Sequence, residues 1–175
     1  MNPINILPKF NQSSKITKGV EKCIKQILET PKIIPSTVNG IKSYNNITSQ
    51  YSSYDNSKIC CHYSNTSNYQ LQTGLNNFEK YKKDFQKNFT PQKRIEMFQK
   101  AANLLQTKYY DEMLASTIVS QNKTIYEAEI DAICELVDFL NFNVHYYQTI
   151  LDKQPINTKE HINISDKFKL LSILK

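Results

Sequence analysis

Of the side chains that can do covalent, acid–base or metal chemistry, this 175-residue chain holds four cysteines, three histidines and 16 carboxylates. Cys23, Cys60, Cys61 and Cys134 form no C-x-x-C pair and no zinc-type spacing. Cys60 and Cys61 are neighbours in a strand-like run, where successive side chains leave opposite faces, so they are poorly placed to share one metal ion. His62, His145 and His161 stand apart from one another and from any H-E-x-x-H pattern. The expected state is four reduced thiols and no metal. Glycine, the builder of phosphate cradles, occurs three times, and the chain has no G-x-G-x-x-G, no Walker A loop and no G-x-S-x-G elbow.

Two carboxylates break the pattern around them. Thr124 opens a helix predicted to run to about residue 151. At about 100° per residue, Ile125, Ala128, Ala132, Leu136, Phe139, Leu140 and Tyr147 share an apolar face, while Glu127, Asp131, Asp138 and His145 share the wet one. Cys134 also falls on the polar side. Glu129, however, projects into the middle of the apolar face, and Glu135 sits at its rim between Ala128 and Phe142. A buried carboxylate without a partner costs several kcal/mol or shifts its pKa upward. Each therefore needs either a hydrogen-bonding partner on another helix or a ligand in a pocket.

The elements that must position these groups are mostly helical. Residues 1–14, with Pro3 and Pro8 and no period, read as a flexible lead. Residues 15–29 carry Ile16, Val20, Cys23, Ile24 and Ile27 at helical spacing and stop before Pro31. From 33 to 63, turn residues at Pro35 and Asn39-Gly40 separate runs rich in Ile, Val, Tyr and Thr, which predicts two or three short strands, the best being KICCHYS at 58–64. Helices follow at 67–87, after the Thr90-Pro91 start signal, and at 110–121, ahead of the long one. The fold class is mainly α with a small β portion (α+β).

Charge excludes less than it suggests. The chain carries net charge +6, but of its 22 basic residues Arg94 is the one arginine, and arginine does most bidentate phosphate and base recognition. The lysines flank helical patterns, as at Lys18, Lys22 and Lys25, and read as solvated faces, so no nucleic-acid partner is expected. No apolar run approaches the roughly 18 residues of a membrane span. The first 19 residues lack acidic side chains, faintly like a mitochondrial presequence, but without arginine or an amphipathic run.

The stretch RIEMFQKAANLL (94–105), then QNKTIYEAEIDAICELVDFLNFNVHYY (121–147), then QPI (154–156), resembles the N-terminal part of the delta-1-pyrroline-5-carboxylate dehydrogenase branch of the aldehyde dehydrogenase superfamily. The pattern G-K-T-x-x-x-A-E-I-D-A-x-x-E-L-x-D-F-x-x-F-N is distinctive of that branch, and here Asn122 replaces its glycine. Looser similarity reaches back to about residue 20, where the family's S-P-F-N-H appears as Ser52-Ser53-Tyr54-Asp55-Asn56. The resemblance implies an incomplete N-terminal piece of an α/β cofactor domain over 15–157, followed by a divergent tail at 158–175.

It also implies a chemistry. The family oxidises glutamate semialdehyde, in equilibrium with pyrroline-5-carboxylate, to glutamate with NAD. A cysteine attacks the aldehyde, a hydride passes to the nicotinamide, and a glutamate-activated water releases the acid. The family's nucleophile, general base and NAD-contacting elements lie beyond the QPI point. None of the four cysteines here matches the nucleophile. The expectation is therefore a truncated, catalytically inactive relative with no cofactor of its own, or else a non-catalytic protein that docks on a full-length aldehyde dehydrogenase or self-associates. One site residue carries over: the glutamate of E-L-x-D-F, which lines the family's aldehyde pocket, is Glu135, here a relic. Glu129 is assigned a structural role. The resemblance implies the mitochondrial matrix, the alternative being the cytoplasm.

Overall fold

The computed structural model describes residues 2–153, 155, 156, 158–160 and 162, with backbone alone at 79, 83 and 86. The tail expected at 158–175 lies mostly outside the described residues. Helix α1, Lys18–Glu29, starts at Thr17, whose side chain accepts the Val20 N–H. Five short strands then follow instead of two or three: β1 Lys32–Ile34, β2 Ser36–Val38, β3 Ile41–Ser43, β4 Ile47–Tyr51 and β5 Ile59–Ser64. Three of them are three residues long, too short for a period-2 pattern to register. β5 is the centre of a three-stranded sheet, parallel to β1 and antiparallel to β4. β2 and β3 form a hairpin through Asn39 and Gly40, both at positive φ as a tight two-residue turn requires.

The helices follow the start signals. α2, Asn68–Asn88, opens on a reciprocal capping box between Ser67 and Gln70, and α3, Pro91–Gln106, on Thr90 with proline in the first turn. α4, Tyr110–Gln121, ends on Asn122 at φ 55. This is the position where the family pattern has glycine. Asparagine is the next residue best able to take that left-handed geometry, so the replacement preserves the helix stop.

The long helix is where the wheel fails. α5, Ile125–Glu129, capped by Thr124 and Glu127, passes into a π-helical segment, Ile130–Glu135, and then α6, Leu136–Asp152. The wider i→i+5 turn sets every later residue back by about one position. Ala128 is followed on the core side by Ile133 and Val137, with Leu140 packed beside them. Leu136 and Phe139, expected inside, are 37% and 63% exposed, while Val137 is 0% exposed. Cys134, expected on the polar side, is buried for the same reason.

The core joins Val20 of α1, Ala102 of α3, Leu114, Ala115 and Ile118 of α4, and the face of the long helix. By contrast, Leu71, Leu75, Phe78, Tyr81 and Phe85 of α2 and Met97 and Phe98 of α3 are exposed. These seven side chains are 45–67% exposed, whereas Ile95 and Ala102 of α3 are buried.

Candidate functional site

Glu129 is 1% exposed, and its two oxygens are both used. One accepts the backbone N–H of Phe10 at 2.8 Å, and the other accepts the Tyr110 hydroxyl in a short hydrogen bond. Burial, reinforced by that bond and by the carboxylate's charge, pushes the Tyr110 hydroxyl far above its ordinary value, so it stays a donor. The Lys9 ammonium sits over the Tyr110 ring, 4.3 Å from its centroid. Of the two answers open for Glu129, partner or ligand, the geometry supplies the partner.

The lead provides it. Residues 2–14, expected to be flexible, contain no helix or strand, yet Ile6 and Phe10 are hydrogen-bonded to the long helix. Besides Phe10, Ile6 gives its N–H to Asp138 Oδ1 at 3.0 Å, and both side chains pack on the core. Asp138, placed on the wet side by the wheel, is half-buried instead. The misfit of Glu129 could have announced a partner. Nothing in the sequence says that this partner lies 119 residues away.

Glu135 is the last residue of the π-helical segment and is exposed, whereas Glu129 is buried. It is not among the residues that line the four cavities around Phe78, Val144, His145 and Cys60. The structure thus separates the two carboxylates that the wheel had put on one face.

Three of the four thiols converge. Cys23 of α1 and Cys60 and Cys61 of β5 line one crevice of about 540 Å³, together with Met113 and the Lys32–Glu112 ion pair at 3.7 Å. Burial raises the Cys23 thiol pKa, with the Asp111 and Glu112 charges adding to it; burial likewise raises Cys60, Cys61 and Cys134, the last also through Glu129 and Asp138. A nucleophilic cysteine needs the opposite, a thiolate favoured by cations or a helix N-terminus. Among the described residues, no cluster of three His, Cys, Asp or Glu side chains could hold a metal ion, and no helix is long and apolar enough to cross a membrane.

Phosphate binding at a helix start needs backbone that a ligand can approach closely. At the start of α1, a side chain on Gly19 would run into the Asp111 carboxylate. That glycine serves close packing against an acid, which would repel phosphate. The buried backbone at the Ser52-Ser53 turn serves structure as well: Ser52 Oγ and the Ser53 N–H both donate to the Val119 carbonyl, at 3.1 and 3.3 Å, satisfying an orphan group in the last turn of α4.

No family model matches the chain. Individual proteins do. It is 30% identical over 148 residues to the probable delta-1-pyrroline-5-carboxylate dehydrogenase of Schizosaccharomyces pombe, covering 83% of this chain and 27% of that protein. It is 55% identical over 62 residues to the mitochondrial enzyme of Dictyostelium discoideum, covering 35% of this chain and 11% of that protein, and 43% identical over 70 residues to the human mitochondrial enzyme, covering 40% and 12%. The chain thus spans about a quarter or less of the length of these curated relatives. In fold, it superposes on the Mycobacterium tuberculosis delta-pyrroline-5-carboxylate dehydrogenase with a TM-score of 0.80 at 23% identity, over 91% of this chain and 30% of that one. The form of that enzyme bound with NAD gives a TM-score of 0.79 at 24% identity, over 90% and 30%.

Proposed function

We propose that this chain, whose relatives are delta-1-pyrroline-5-carboxylate dehydrogenases, supplies the helical segment of that fold and that these 175 residues by themselves do not oxidise an aldehyde. The observation that carries the reading is the mismatch of coverage: 91% of the chain follows the solved dehydrogenase, but this accounts for 30% of it. The chemistry of the side chains points the same way. All four thiols are held toward their neutral form, and the helix start nearest a glycine faces a carboxylate. NAD is bound by the solved relative, and on this reading no residue of the chain is assigned to holding it. In a complete fold, Glu135 would face the aldehyde pocket; here it is a relic on an open surface.

The exposed apolar rows of α2 and α3, and Phe139 beside Glu135, favour a second role, docking on a full-length aldehyde dehydrogenase in place of its own corresponding segment. The names of the Dictyostelium discoideum and human relatives, both mitochondrial enzymes, support the mitochondrion as the compartment in which to look for such a partner. The test is an NAD-dependent assay with pyrroline-5-carboxylate, run on the purified chain alone and mixed with a full-length relative. The chain alone should give no turnover, and measurable NADH formation would overturn the reading. A change in the partner's rate or its co-elution with the chain supports docking; an unchanged rate with separate elution removes it.

A further inference from the structure

The π-bulged helix holds the lead's backbone at two points. Its two polar anchors are Glu129, which accepts the N–H of Phe10 at 2.8 Å, and Asp138, which accepts that of Ile6 at 3.0 Å. The lead therefore runs antiparallel to the helix. The two spacings are close: four extended residues cover about 13 Å at roughly 3.3 Å each, and residues 129 to 138, eight α-helical steps once the setback is counted, about 12 Å at 1.5 Å each. Pro8, between the anchors, has no N–H to leave unsatisfied.

The π-helical segment makes this match possible. On a straight α-helix, nine residues at 100° place positions 129 and 138 about 180° apart, on opposite faces. Setting the helix back by one residue cuts this to about 80°, so that one strand can reach both carboxylates. The widened segment, Ile130–Glu135, lies wholly between the anchors. Ile6 and Phe10, the residues whose N–H groups are captured, are also those of the lead that pack on the core.

We infer that Glu129 and Asp138 form a two-point site for an extended peptide segment, occupied in cis by residues 6–10, and that this strap spans and braces the π-helical segment. The inference does not depend on the proposed function. Hydrogen–deuterium exchange on the full 175-residue chain tests it. Residues 5–11 should exchange well below the rate of a free peptide, independently of protein concentration. Ile6→Pro removes the donor that Ile6→Ala retains, and it should speed exchange across the strap about ten- to a hundredfold beyond Ile6→Ala, the usual worth of a hydrogen bond to a charged group. Asp138→Ala, at a half-buried position the helix can spare, should do the same while α1 and α4 exchange unchanged. A strap that exchanges as a free peptide in the unmodified chain would overturn the inference. So would equal protection in the Ile6→Pro and Ile6→Ala variants, or protection lost on dilution, which would assign the two anchors to a second copy's lead.

Discussion

Shortening Val137 to alanine should destabilise the fold more than shortening Phe139, although phenylalanine is the larger and more hydrophobic side chain. Val137 is fully buried among core residues of the long helix and its neighbours. Val137→Ala removes two methyl groups, about 1.6 kcal/mol of transfer free energy at roughly 0.8 kcal/mol each, and leaves a cavity that raises the cost to about 2–3 kcal/mol. Phe139 is 63% exposed, so Phe139→Ala surrenders only the covered third of its surface and opens no cavity, about 1 kcal/mol. For a chain of this size, the first loss lowers the melting temperature by about 4–12 °C and the second by about 2–4 °C. Urea denaturation followed by far-ultraviolet circular dichroism gives the order directly, from the midpoints at unchanged m-value. An uninterrupted α-helix predicts the reverse order. A Phe139→Ala midpoint shifted as far as that of Val137→Ala would therefore refute the one-residue setback.

Three further outcomes follow from local geometry. Asn122→Ala forces a β-carbon without a compensating polar group into the left-handed stop of α4 and should cost about 1 kcal/mol, while Asn122→Gly should be neutral or slightly stabilising, read from the same denaturation curves. Backbone and side-chain hydrogen bonds from Thr124 lower the Glu127 pKa from its ordinary 4.5, so its capping contribution is present above that value and is lost as pH falls through the lower folded-state value; a carboxyl titration by nuclear magnetic resonance with a midpoint at or above 4.5 would contradict this. All four thiols should alkylate slowly near neutral pH and faster above pH 9, with half-buried Cys23 and Cys61 reacting before buried Cys60 and Cys134, as counted by mass spectrometry of partially modified protein.

Fold class, the order of the helices and their starts were legible because they rest on local chemistry. Thr17, Ser67, Thr90 and Thr124 each cap a helix with their own side chain, and Asn39-Gly40 turns the hairpin where its dihedral freedom is needed. The resemblance to pyrroline-5-carboxylate dehydrogenases was legible too, because the pattern from Lys123 to Asn143 is long and ordered. Glu129 could be singled out as a carboxylate in the wrong place.

Its partners could not be read. A one-residue setback at Ile130–Glu135 moved Cys134 and Val137 inward, Leu136 and Phe139 outward, and Asp138 to within reach of the lead. A helical wheel assumes a constant angle per residue, and one wide turn changes the phase of everything after it. That turn goes together with contacts between segments more than a hundred residues apart, at Phe10 and Glu129 and at Ile6 and Asp138. Caps and turns depend on neighbours a few positions away and so are written in the chain. The facing of the long helix depends on which distant groups must be satisfied in a buried place, and only the packed structure brings those together.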